Sequence, residues 1–242
     1  MNFASMPPEP APRSSSLCKP GRPPDRIRLH RRERWLMAAI IVAQCLMLSA
    51  AVAGGFDRGG IFGKTGKMFT NFRPIPQWPK LLERYRAEER KDRDCHSSGR
   101  GRCPYTEWTR TIERLRGKDK ATQVREINRF ANNWSYITDP VNWGKEDYWA
   151  TPGEFFDKSG DCEDFAIVKF MSLRALGFSN AELRLVAVKD LNLKVGHSVT
   201  LVDLGGRIML MDNQIKQVVQ ASTVRHYKPV FAANETTWWL FK

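Results

Sequence analysis

The sequence predicts an α+β fold in which helices come first and an antiparallel sheet follows. Three observations carry this. Apolar residues recur at helical spacing up to Gly177, then alternate or run apolar at strand length beyond it. Gly205 and Gly206 sit between two strand-like runs, where a hairpin turn fits. The run from Gly160 to Ala166, which contains Cys162, opens an apolar helical stretch at the junction of the two halves.

The elements follow in order. Residues 21–34 are basic and lack periodicity, and the apolar run from Trp35 ends in the small-residue pattern Ala51, Val52, Ala53. This predicts a leader over 1–53, cut after Ala53, and one domain over 54–242. The apolar run is also about as long as the shortest membrane span, about 17 residues, so an uncleaved inner-membrane anchor is the competing reading. The stretch before the basic cluster, with Pro7, Pro8, Pro10 and Pro12, carries no fold signal and leaves the start codon open. Cys45 lies mid-run, away from any cleavage site, and does not suggest a lipoprotein.

The exported part, about 190 residues, is near one domain's worth and long enough to bury one core. Formal net charge is +13. The positive residues are scattered and match no nucleic-acid motif, so the excess reads as solubility and weak attraction to acidic partners, with no nucleic acid as partner. Outside the leader the cysteines are Cys95, Cys103 and Cys162. An odd count in an oxidising compartment suggests one bridge and one free thiol. Cys95 and Cys103 flank a Gly-Ser-rich loop, where a disulfide or two exposed thiols are the alternatives. Cys162 is left over either way.

Gly54 to Pro79 is rich in Gly, Lys and Pro and reads as extended. A helix is expected from near Pro79, with Leu81, Leu82 and Tyr85 on one side. Trp108, Ile112 and Leu115 predict a second over 105–116, ended by Gly117. Val124, Ile127, Ala131 and Trp134 predict a third over 121–134. Tyr136 to Ala150 is aromatic and turn-rich and reads as a packed loop. Thr151, Pro152 and Glu154 form a capping-box signature for a short helix through Phe156. Residues 163–176 predict a buried helix stopped by Gly177. Strands are expected over 183–188, 197–204, 207–211 and 224–231.

Cys162, His197 and Asp212 occur in an order suited to acyl transfer. At the first turn of a helix, unpaired N–H groups favour a thiolate and an oxyanion. His197 would take the thiol proton and Asp212 would hold the imidazole in the useful tautomer. Counting out from the Gly205-Gly206 turn, residue 199 pairs with 212, which makes His197 and Asp212 diagonal neighbours within reach. The bland readings are a buried structural thiol, a satisfied core histidine and a plain turn aspartate. His226 is a weaker candidate base.

Asp161, Glu163 and Asp164 would raise the pKa of an adjacent thiol if unpaired. A hard cation would neutralise them, and carboxylates with carbonyls suit Ca²⁺. The alternative is N-terminal capping, where carboxylates are favourable anyway. A zinc site on Cys162 and His197 is a third reading, with Asp212 then supporting a ligand rather than a base.

Taken together, Asn132 to Asp139, Asp147 to Glu154, Gly160 to Ala166, Gly196 to Val199 and Leu210 to Asn213 resemble the bacterial transglutaminase-like cysteine proteases, LapG type. The resemblance runs from about Trp108 to Trp239. It implies a papain-like, transglutaminase-core fold with Cys162, His197 and Asp212 as catalytic triad. It implies a calcium cofactor at Asp161 and Glu163, with Asp164 a nearby candidate. It further implies a periplasmic endopeptidase that cuts a large surface adhesin at a paired-alanine site, releasing cells from a biofilm. A LapD-type inner-membrane receptor for cyclic di-GMP would restrain it. Two rival functions remain: transglutaminase-type transfer of the acyl group to an amine, and a non-catalytic peptide-binding module.

Overall fold

The computed structural model describes residues 55–56, 60–98 and 106–242, all within the compact unit Val52–Lys242. The leader reading over 1–53 and the expected bridge partner Cys103 lie outside the described residues. Cys95 is disulfide-bonded. No helix among the described residues is long and apolar enough to cross a membrane.

Among the described residues the helices precede all but one short strand, close to the order the periodicity predicts. They are α1 (Gln77–Ser97), α2 (Thr106–Leu115), α3 (Lys120–Ala131), α4 (Asp139–Asn142), α5 (Pro152–Lys158) and α6 (Cys162–Ala175). Asp119 caps α3 by accepting from the Thr122 N–H. Thr151 and Glu154 close the expected capping box on α5, with Pro152 in its first turn. The stretch read as a loop, 136–150, contains α4, where Pro140 supplies its fixed φ near the start of a single helical turn.

The strands are β1 (Lys67–Phe69), β2 (Leu183–Asp190), β3 (Gly196–Leu204), β4 (Arg207–Met211), β5 (Val219–Gln220), β6 (Tyr227–Ala233) and β7 (Trp238–Leu240). They form one sheet in the order β1-β7-β6-β2-β3-β4-β5, antiparallel throughout. Gly205 and Gly206 make the β3–β4 turn with φ of 66° and 93°, a region that residues with a Cβ avoid. The segment read as extended supplies β1, the expected strand over 224–231 is β6, and β7 follows it across a turn at Asn234 without having been expected. Asn234 Oδ1 accepts from the N–H groups of Thr236 and Thr237, closing that turn with a side chain.

Period-2 alternation divides the core. Leu183, Leu185 and Val202 join Ile167, Phe170, Met171 and Trp78 in one cluster. Val186, Val188, Val199 and Leu201 belong to a second, with Phe56, Ile61, Tyr227 and Phe241. α6 is buried almost all round, so its position against β3 is set by packing on both sides. Thr200 ties the two elements together, donating its hydroxyl to the Ala166 carbonyl at 2.6 Å. The first residue of α6 is Cys162, and the second of β3 is His197.

Candidate active site

α5 ends at Ser159, whose φ of 66° turns the chain sharply. Gly160 follows, and its carbonyl accepts from the Ile137 N–H at 2.9 Å. A Cβ at Gly160 would lie 2.2 Å from Asp164 Oδ2, so only glycine leaves room for that carboxylate to fold back. Asp164 uses the room. Its Oδ2 accepts from the Asp161 N–H at 3.2 Å and its Oδ1 from the Ala150 N–H at 2.7 Å. The Gly-Asp-Cys-Glu-Asp run is therefore a device that fixes the start of α6 and, with it, Cys162.

Cys162 is partly buried at the helix N-terminus. Its sulfur is 3.1 Å from Glu163 Oε2, donating to that carboxylate. Burial pushes the thiol up most, Glu163 and Asp161 push it further, and the Ser198 backbone opposes them. That last contact sets the sulfur against β3 one residue past His197. The free edge of β3 makes this possible: its pairing with β4 stops at Thr200 opposite Met211.

Continuing that register puts Val199 opposite Asp212, as the turn count anticipates. His197 Nε2 lies 2.9 Å from Asp212 Oδ1, with both side chains buried. Asp212 Oδ1 also accepts from the Gln214 N–H at 2.9 Å, and Oδ2 from the Tyr227 hydroxyl at 2.7 Å. Burial acts to raise the Asp212 carboxyl, but the His197, Gln214 and Tyr227 bonds outweigh it and hold the group below the usual carboxylate range. An ionised Asp212 accepts from Nε2–H, which leaves Nδ1 as the basic nitrogen. The Gln214 side-chain amide lies 3.4 Å from that nitrogen. His226 is not part of this constellation; its ring packs at a tilt of 59° on Tyr227, with centroids 4.4 Å apart.

Four residues around the pair went unread in the sequence. Tyr227 braces Asp212. Asn132 donates its amide to the Asp212 carbonyl at 2.8 Å, and Asn128, one turn earlier on α3, donates to the Lys216 carbonyl at 2.9 Å. The two amides clamp the loop that carries Asp212 and Gln214. Lys169 is fully buried on α6, two turns from Cys162, and its ammonium has no hydrogen-bond partner among the described residues. Among the described residues, Asp212 is the one charged group that acts on it. Periodicity shows none of these roles, because each partner is distant in sequence.

The carboxylates form a second constellation beside Cys162. Ligand atoms of Asp139, Asp161 and Asp164 lie within 4.8 Å of one another, as do those of Asp139, Asp147 and Glu163, and those of Asp161, Cys162 and Glu163. Asp139 and Asp147 come from the stretch that read as a loop. Burial raises Asp139 to about 6, opposed by the Tyr148 N–H. Burial, then the hydrogen bond and charge of Glu163, raise Asp161 to about 7. Burial lifts Asp164 to about 9. Asp139 Oδ1 and Asp161 Oδ1 are buried and accept no hydrogen bond among the described residues. Crowded carboxylates with oxygens lacking a donor fit a hard divalent cation of the calcium class.

The profile of the bacterial transglutaminase-like cysteine proteinase family, BTLCP, matches residues 90–241. Among solved structures, calcium-bound LapG of Legionella pneumophila is 30% identical, with a TM-score of 0.52 over 67% of this chain and 86% of that one. LapG of the same organism without that description is 29% identical over 66% and 87%, and its EGTA-treated form 29% identical over 66% and 84%, both with a TM-score of 0.52. No curated protein matches the chain.

Proposed function

This chain belongs to the bacterial transglutaminase-like cysteine proteinase family, and from that membership we propose a calcium-dependent endopeptidase that cleaves a large surface adhesin at a paired-alanine site. The observation that carries the chemistry is the His197–Asp212 pair, with Nε2 bound to the carboxylate and Nδ1 left basic, beside a β3 edge against which Cys162 lies.

In this reading Cys162 is the nucleophile. Its thiol proton passes to His197 Nδ1 as the sulfur bonds to the scissile carbonyl carbon. The oxyanion meets the N–H groups at the start of α6. The intermediate collapses as the C–N bond breaks and His197 gives its proton to the leaving amine. Water then attacks the thioester, His197 takes its proton, and the sulfur leaves to be reprotonated. Asp212 stays ionised throughout and holds the imidazole.

Asp161, Glu163 and Asp139 would hold calcium, with Asp147 and Asp164 bordering them. A bound calcium would neutralise the charge that pushes the Cys162 thiol up. LapG of Legionella pneumophila, described in a calcium-bound form, supports that choice of ion. Periplasmic location, release of cells from a biofilm and restraint by a LapD-type cyclic di-GMP receptor complete the proposal and rest on the family resemblance. Acyl transfer to an amine is the alternative outcome.

Labelling tests the roles directly. A peptide carrying an electrophilic carbonyl should modify Cys162, identified by mass spectrometry, and His197→Ala should suppress the modification. Labelling at another residue, or equal labelling in His197→Ala, would remove the dyad from the mechanism.

A further inference from the structure

The β2–β3 hairpin displays apolar side chains where a soluble turn would be polar. Leu191, Leu193 and Val195 are 49%, 59% and 50% exposed, all within one tip. Scattered exposed apolar residues need no explanation, but three within five positions form a patch. The tip is built rather than loose. Asp190 Oδ1 accepts from the Asn192 and Leu193 N–H groups at 2.8 and 3.0 Å. The Asp190 N–H donates to the Val195 carbonyl and the Leu191 N–H to the His226 carbonyl. Lys194 completes the turn at a φ of 61°.

This ordered tip is continuous with the site. Val195 is two residues before His197, and His226 adjoins Tyr227, which holds Asp212. Near the start of α6, Tyr136 stacks on Phe165 at 6.4 Å and leaves its ring half-exposed. A backbone bridge joins Tyr136 to Gly160, two residues before Cys162. Apolar surface thus borders both the thiol and the imidazole.

We propose that the β2–β3 hairpin tip is one wall of the substrate cleft and grips apolar side chains of an extended polypeptide beside the scissile bond. The proposal rests on the peptidase reading for its occupant. Exposed Lys189 and Lys194 flank the patch, so apolar residues bordered by acidic ones fit best. Because the patch lies outside the Cys162, His197 and Asp212 chemistry, it governs binding rather than turnover.

Binding measured without cleavage separates this proposal from the peptidase reading. The protein carrying Cys162→Ala is titrated with a fluorescent extended peptide bearing alternate Leu and Val residues, and with the same peptide bearing Ser there. Anisotropy should show tight binding of the apolar peptide only. Adding Leu191→Ser, Leu193→Ser and Val195→Ser should weaken it about tenfold or more, as expected for several lost apolar contacts. In the Cys162 protein the same hairpin changes should leave the rate of Cys162 alkylation by iodoacetamide unchanged. Val195→Ser alone should give part of the loss, which covers a failure of the triple variant to fold. No binding of the apolar peptide, or equal binding by the hairpin variants, would overturn the proposal. Binding lost with the hairpin in a protein that cleaves nothing would uphold it and sink the peptidase reading instead.

Discussion

The Tyr227 hydroxyl donates to Asp212 Oδ2 at 2.7 Å, while His197 occupies Oδ1 of the same carboxylate at 2.9 Å. The base is thus held by a residue that is itself held from β6, two positions from the strand of His197 in the sheet order.

Tyr227→Phe removes that brace and little else. A hydrogen bond to a charged group contributes ~1.5–3 kcal/mol, so kcat should fall about tenfold or more with KM within about twofold. Steady-state kinetics on a cleaved peptide checks this. A rise in KM at constant kcat would place Tyr227 in substrate binding.

Lys169→Met should stabilise the fold. Burial pushes the Lys169 ammonium down to about 7 from its ordinary 10.5, and Asp212 only partly opposes this. A group whose folded pKa is depressed in this way destabilises the fold wherever the unfolded lysine is charged. The cost is full below about pH 7 and fades toward pH 10.5. Chemical denaturation should show a gain of ~1–3 kcal/mol at neutral pH, shrinking as pH rises. A loss of stability would mean that the ammonium has a structural partner.

Asp139 and Asp161 are raised to about 6 and about 7, so in the absence of a cation both keep their protons to a higher pH than an ordinary carboxyl. For carboxyls the sign is that stability is highest in acid and falls as pH rises from about 4 through those values. With a chelator present, thermal denaturation should show Tm dropping across this window. Calcium should restore it most strongly at and above pH 7. Asp161→Ala should weaken calcium binding in calorimetry, and an unchanged affinity would remove that ligand.

Gly160→Ala would press a methyl into Asp164, with Asp164 Cβ only 2.6 Å from the new atom. Displacing a buried cap should cost more than ~1 kcal/mol, read as a shift in the denaturation midpoint. Full stability would show that the cap is dispensable.

Much of this was legible in sequence because local chemistry dictated it. The Thr151 box, the Gly205-Gly206 turn and the apolar α6 each follow from adjacent residues. The Cys162, His197 and Asp212 positions followed from a helix start and one hairpin count, and the observed pairing of Thr200 with Met211 is the register that count assumed. Tyr227, Asn132 and Lys169 were not legible, because nothing near them in sequence tells of Asp212. Asp139 was hidden by Pro140, whose turn signal obscured a carboxylate that packs toward residues 161–164. β1 and β7 are not legible because each is three residues long, too short for alternation to show, and is fixed by pairing with a distant or neighbouring strand.

The most direct test incubates the purified protein with an adhesin N-terminal fragment containing a paired-alanine site, in calcium and in a chelator. Cleavage is expected at that site in calcium and lost in the chelator, with none by Cys162→Ala in either. An intact fragment after incubation with folded, reduced, calcium-loaded protein would contradict it, as would equal cleavage by Cys162→Ala.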